Sequence, residues 1–127
     1  MAVILDTNAF SAFVDGDEKL VRVLSSESEL ALPIIVLGEF LHGIQGSRLR
    51  GSYEAWVKTN LAFFNLLPVI RETAERYAEI RRELKSSGKP IPTNDLWIAA
   101  IARTQGMPLV TRDAHFRAVR SLRIVAW

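Results

Sequence analysis

Val3-Ile4-Leu5-Asp6-Thr7-Asn8 decides the fold. Three apolar residues with no polar break lead straight into an acid. An uninterrupted apolar run is the pattern of a strand buried on both faces, as in a parallel sheet. An aspartate closing such a strand has lost most of its water, and an unpaired buried charge is costly. Asp6 therefore needs a partner. A helix beginning at Asp6 supplies one candidate, because an aspartate at that position caps the first turn. The rest of the chain supplies others.

Four further stretches read as strands: Leu30-Ala31-Leu32-Pro33, Leu66-Leu67-Pro68-Val69, Leu109-Val110-Thr111 and residues 122–127. Between them lie helical patterns. Residues 10–14 and 18–26 make two short helices around the Gly16-Asp17 break, and residues 34–44 make a third, with Glu39 inside an apolar run. Residues 53–64 are amphipathic, Tyr53, Val57, Leu61 and Phe64 sharing one face with Trp56 and Phe63 beside it. Residues 72–85 repeat that pattern, with Ala74, Tyr77, Ile80 and Leu84 as the stripe and charges opposite. Residues 86–92 are a loop by composition, and Thr93 is placed to cap a helix that is apolar all round from Leu96 to Ala102 and ends at Gly106. A short helix over 114–119 precedes the last strand. Strands alternating with helices predict an α/β fold with a parallel sheet and right-handed crossovers.

The bulk numbers agree. At 127 residues, 49% hydrophobic and 24% charged, the chain reads as one globular domain spanning 1–127. It has no cysteine, which excludes disulfides, thiolate chemistry and cysteine metal sites. The longest apolar stretch contains Pro33 and is too short for a bilayer, and the N-terminus lacks the marks of a signal peptide; a cytoplasmic location and no membrane association are expected. Net charge is +2 but uneven: residues 1–80 hold seven Lys/Arg against eleven Asp/Glu, and residues 81–127 nine against three. A basic half attracts polyanions, though on charge alone a solvated surface without a partner is the favoured account.

In a parallel α/β sheet the pocket lies beyond the carboxyl ends of the strands. Asp6 follows the first strand and Asp113 follows the fourth. Glu39 lies in the second turn of the helix after the second strand. Asp95 lies in the first turn of the helix running antiparallel to the fourth strand. Topology brings all four to one edge. Like charges so placed repel, so either some are protonated or a cation sits among them. Hard oxygen donors without sulfur suit Mg²⁺ or Mn²⁺, and such ions lower the pKa of bound water and polarise phosphoryl oxygens. Asn94 and Thr111 are neutral neighbours able to orient a ligand. Each acid also has a bland account. Asp6 and Asp113 suit helix caps, Asp95 suits a helix dipole, and Glu39 has Arg48 and Arg50 as partners within reach in sequence. His42, one turn from Glu39, reads as a packing or capping residue.

The motifs Ile4-Leu5-Asp6-Thr7-Asn8, Glu39-Phe40-Leu41-His42-Gly43, the run from Ile91 to Ala100 containing Thr93-Asn94-Asp95, and Thr111-Arg112-Asp113-Ala114-His115-Phe116 occur in this order across nearly the whole chain. Together they resemble the PIN-domain ribonucleases, and within them the VapC-type toxins of VapBC toxin–antitoxin systems. The resemblance implies a three-layer α/β/α sandwich with a central five-stranded parallel sheet. It implies that Asp6, Glu39, Asp95 and Asp113 bind Mg²⁺ or Mn²⁺ and that a metal-activated water cuts RNA. It also implies a homodimer held inactive by a cognate VapB-like antitoxin. Arg112, Lys89 and Arg117, with Lys85 and Arg120 nearby, are the expected RNA phosphate contacts; for Arg112 a salt bridge to one of the acids is the other reading. Two alternatives stand beside this. One is a PIN-fold protein that binds RNA or a partner without cutting. The other is a phosphatase of the haloacid dehalogenase type, against which stand Asn8 in place of a second aspartate and the lack of a suitably placed lysine.

Overall fold

The first strand of the chain is the middle strand of the sheet. The computed structural model describes residues 1–127, with strands β1 (Ala2–Leu5), β2 (Glu29–Pro33), β3 (Phe64–Leu67), β4 (Leu109–Val110) and β5 (Ile124–Val125). The sheet runs β3-β2-β1-β4-β5 and every neighbouring pair is parallel. Val3, Ile4 and Leu5 are each 0% exposed. Successive strand side chains point to opposite faces, so this burial requires cover on both sides of the sheet. Each such side chain contributes about 1.5–3 kcal/mol. Helices α1 (Thr7–Val14), α2 (Glu18–Leu24), α3 (Ile34–Gly43), α4 (Arg50–Asn60), α5 (Arg71–Ser86) and α6 (Thr93–Gln105) provide that cover and complete the expected three-layer α/β/α sandwich.

Chain order and spatial order part at β1. The chain steps outward through β2 to β3, then returns to the other side of β1 for β4 and β5. The switch point between β1 and β4 is where open parallel sheets leave a crevice at their carboxyl ends.

Phe10, fully buried on α1, meets Phe40 of α3, Trp56 of α4 and Phe64 of β3 edge to face, at centroid distances of 5.0, 6.0 and 5.5 Å. One ring thus fastens four elements. Along α6, Leu96, Ile98, Ala99, Ala100, Ile101 and Ala102 are all buried, as expected of a helix apolar all round. Gly106 closes it in the left-handed conformation at φ 64°, which a Cβ would strain.

Several boundaries differ from the sequence expectation. The helix expected over 53–64 starts at Arg50 and ends at Asn60, a 3₁₀ turn follows at Leu61–Phe63, and Phe64 already belongs to β3. A continuous apolar run does not reveal its own period; Phe63 is 77% exposed, whereas Phe64 and Leu67 are buried in the strand. On α5 the buried stripe uses Thr73 in place of Ala74, and the Thr73 hydroxyl accepts the Ile70 N–H at 3.1 Å. Thr93 is the first helical residue of α6, and Pro92 holds the cap position. The turn after Asp113 is a 3₁₀ segment, Ala114–Ala118, and the last strand shortens to two residues.

Candidate active site

Asp6 is the first residue past β1, and its extended backbone (φ −78°, ψ 179°) turns the chain from the sheet into α1. Its Oδ1 accepts the Ala9 N–H at 2.8 Å, so the helix-cap reading holds. Its Oδ2 accepts a hydrogen bond from the Thr111 hydroxyl, which comes from the end of β4. The same Thr111 oxygen accepts the Asp113 N–H at 2.9 Å. Thr111, 1% exposed, thereby ties Asp6 to the loop bearing Asp113 across the switch point. Asp6 itself is 3% exposed. Capping and convergence turn out to be compatible, because a carboxylate has an oxygen for each.

Glu39, half-buried on α3, accepts the Thr7 hydroxyl on Oε1 at 2.6 Å. It pairs with neither arginine considered from the sequence; Arg50 instead bonds Glu54 at 2.8 Å. Asp113 accepts the His115 N–H on Oδ1 at 2.9 Å and caps the 3₁₀ turn. Asp95 sits half-buried in the first turn of α6. The His115 Nδ1 lies 3.2 Å from Asp95 Oδ2 and 3.2 Å from Asp113 Oδ1. One ligand atom each from Asp95, Asp113 and His115 fall within 4.8 Å of one another.

The acids share one electrostatic field. Burial pushes the Asp6 carboxyl above the usual carboxylate range, against the bonds from Thr111 and Ala9, and the charges of Asp95 and Asp113 push it further. Burial likewise raises Asp95; His115 opposes this, and Asp113 and Glu39 add to it. The structure thus couples all four sequence-predicted acids electrostatically, with Asp95 and Asp113 as the close pair. Glu39 Oε2, Asp95 Oδ1 and Asp113 Oδ2 accept no hydrogen bond from the protein. The four mutually repelling carboxylates, of which Asp6 and Glu39 are oriented by threonine hydroxyls, have the hard-oxygen chemistry of a divalent-cation site.

Of the supporting residues, Thr111 is central, whereas Asn94 is exposed and bonds none of the acids. Arg112 is engaged away from the four acids: its guanidinium is 3.7 Å from Asp17 and 4.1 Å from the Trp127 ring centre. Lys89 and Arg117 are exposed, with no carboxylate in salt-bridge range, and His42 is exposed on α3. Sequence reasoning missed two contributors. Thr7 was visible as the hydroxyl next to Asp6. His115 was visible as the second residue after Asp113, a spacing that a 3₁₀ turn folds back onto the acid.

The raised carboxyls give a pH signature. A carboxyl whose folded pKa exceeds its unfolded value penalises folding while ionised, and the penalty fades as pH falls through the folded pKa toward the unfolded 3.8. In EDTA, lowering pH from neutrality toward 3.8 therefore favours the wild type relative to Asp95→Asn, which lacks one of these groups. Thermal unfolding of both proteins across that range measures the difference; parallel curves would contradict the assignment.

No helix is long and apolar enough to cross a membrane. The PIN domain family matches residues 3–122. Ribonuclease VapC5 of Mycobacterium tuberculosis is 35% identical over 124 residues, covering 93% of this chain and 87% of that protein. Ribonuclease VapC2 of Rickettsia felis is 26% identical over 132 residues, covering 100% of this chain and 98% of that protein. The crystal structure of DNA-bound VapBC from Salmonella typhimurium contains a chain that matches with a TM-score of 0.90 at 25% identity, over 100% of this chain and 98% of that one.

Proposed function

The chain belongs to the PIN-domain family, and on that footing we propose that it is an endoribonuclease of the VapC type, the RNA-cleaving toxin of a toxin–antitoxin pair. The observation that carries this reading is the meeting of Asp6, Glu39, Asp95 and Asp113 at the β1–β4 switch point. These four would hold Mg²⁺ or Mn²⁺, with the His115 Nδ1 at the rim as a nitrogen donor. Such an ion, when bound, lowers the pKa of a water for attack on phosphorus and polarises the phosphoryl oxygen.

The protein's own part is positioning. Thr111 and the Ala9 N–H fix both oxygens of Asp6, Thr7 fixes Glu39, and the short turn after β4 sets Asp113 beside Asp95. Lys89 and Arg117 are open to phosphate contacts. Arg112 reaches one by leaving Asp17, an exposed pairing of little strength.

The VapBC assemblies among its structural neighbours support a cognate VapB-like antitoxin as partner; a homodimer and a cytoplasmic setting are proposed with it. Carboxylates fixed in orientation and held in one electrostatic field, with Asp95 and Asp113 close together, favour cleavage over passive RNA binding. The phosphatase reading finds no support: the residue where a second acid would stand is Asn8, and no suitably placed lysine accompanies Asp6.

The test is incubation of the purified chain with a broad RNA panel, followed by sequencing of new RNA ends. Cleavage is expected with Mg²⁺ or Mn²⁺ and stops on adding EDTA. Retention of RNA without new ends would replace this reading with the non-cleaving one.

A further inference from the structure

The charges of α5 are balanced at one end of the helix and not at the other. Arg71 pairs with Glu75 at 4.0 Å and Arg76 with Glu79 at 3.3 Å. Farther along, Glu83 is taken by Arg103 of α6 through two bonds of 3.2 Å. Arg81, Arg82 and Lys85 are exposed and have no carboxylate in salt-bridge range, and Lys89 extends the run into the following loop. The uncompensated cations of this helix are therefore gathered at its C-terminal end.

Two of them, Arg81 and Lys85, border a cleft. A cavity of about 360 Å³ lies between the end of α5, the 86–92 loop and the first turn of α6, with Arg81, Lys85 and Thr93 around an apolar floor of Leu84, Ile91 and Leu96. Arg81 is held in place at its mouth: its Nη1 donates to the Tyr77 hydroxyl at 2.6 Å, and the Tyr77 ring stacks on Trp97 at 4.1 Å and 20°. An anchored cation loses less side-chain entropy on binding a ligand than a free one. Thr93 and Asp95 share the first turn of α6 at positions about 200° apart around its axis. The cleft and the acids thus flank one turn of helix.

We propose that this cleft holds the RNA backbone beside the acidic centre, Arg81 and Lys85 each contacting a phosphate. The choice of RNA rests on the ribonuclease reading above. A cluster of carboxylates repels a polyanionic strand, so a strand lying across it needs cations nearby. A nucleotide also matches the cleft in kind, offering a charged phosphate to Arg81 and Lys85 and a flat apolar base to the floor. An acidic peptide would use the cations and leave that floor without purpose.

The test is fluorescence anisotropy of the full chain with fluorescein-labelled single-stranded RNA in EDTA, which prevents cleavage, at several salt concentrations. Arg81→Gln/Lys85→Gln should weaken binding about tenfold or more and lower the salt slope by about 1.4, two phosphates at ~0.7 each for a single strand. A control of equal charge change, Lys19→Gln/Lys58→Gln on α2 and α4, should shift both far less. Circular dichroism checks that both pairs fold. Equal weakening by the two pairs, no weakening by either, or binding of a glutamate-rich peptide but not RNA at Arg81 and Lys85 would overturn the proposal. Undiminished cleavage by Arg81→Gln/Lys85→Gln would remove the cleft and leave the nuclease reading intact. RNA bound through these residues but never cut with metal would do the reverse.

Discussion

Asp6→Asn is expected to lower metal-supported RNA cleavage about a thousandfold while the protein stays folded. The loss follows from removing one charge from the set proposed to hold the ion. Metal stabilisation of phosphoryl-transfer charge is worth several kcal/mol, and each 1.36 kcal/mol is tenfold in rate. The fold survives because the structural work of Asp6 passes to the amide. Asparagine caps helices as well as aspartate does, so its oxygen can accept the Ala9 N–H. Its NH₂ then faces the Thr111 oxygen, whose hydroxyl hydrogen can rotate away. The variant also loses a desolvated charge that Asp95 and Asp113 oppose, so without metal its melting temperature should equal or exceed that of the wild type. Initial cleavage rates and thermal melts in EDTA measure the two halves. A variant that cuts like the wild type sinks the nuclease assignment. One that fails to fold shows instead that the charge itself is structural.

Phe10→Ala should cost about 3–5 kcal/mol of stability, the range for emptying a buried aromatic site. For a chain of this size that is a drop of roughly 10–20 °C in melting temperature. Phe10 is 0% exposed and touches three other rings drawn from α3, α4 and β3. These neighbours belong to separate elements, so collapse into the cavity would require moving helices against the sheet. Phe63, 77% exposed and next in sequence to Phe64 of the same cluster, is the control, and Phe63→Ala should change stability by no more than about 0.5 kcal/mol. Urea unfolding of the two variants discriminates; similar midpoints would mean that Phe10 does not fasten these elements.

The fold was legible where the pattern was unambiguous. Val3-Ile4-Leu5 reads as a doubly buried strand, and the β–α alternation around it implied a parallel sheet. The four acids were legible because topology, read from strand order, places them at one edge whatever their rotamers. Ends of elements were not legible where apolar residues ran on without a period, as from Leu61 to Leu67. Partners within the site were harder still. Nothing local says that Thr7 reaches Glu39, that Arg112 turns to Asp17 and Trp127, or that His115 bridges two acids. Such contacts depend on the directions of side chains from distant segments. The uneven charge along the chain was visible, but on this one helix only salt-bridge partners separate Arg71 and Arg76, each paired with a glutamate, from Arg81 and Lys85.

The central place of β1 bears on how the protein is made. Asp6 and the Thr111 that holds it are 105 residues apart in the chain. At 5–20 residues per second, roughly 5–20 seconds separate the appearance of one from the other during translation. Over that interval β1 can pair with β2 on one side only, and the edge that will receive β4 stays open. The acidic centre cannot assemble piecemeal, since Asp113 is drawn in by Thr111. On the proposed function, a nascent chain gains its RNA-cutting centre only when almost the whole protein has emerged, and a message truncated before Asp113 yields a product without a complete centre.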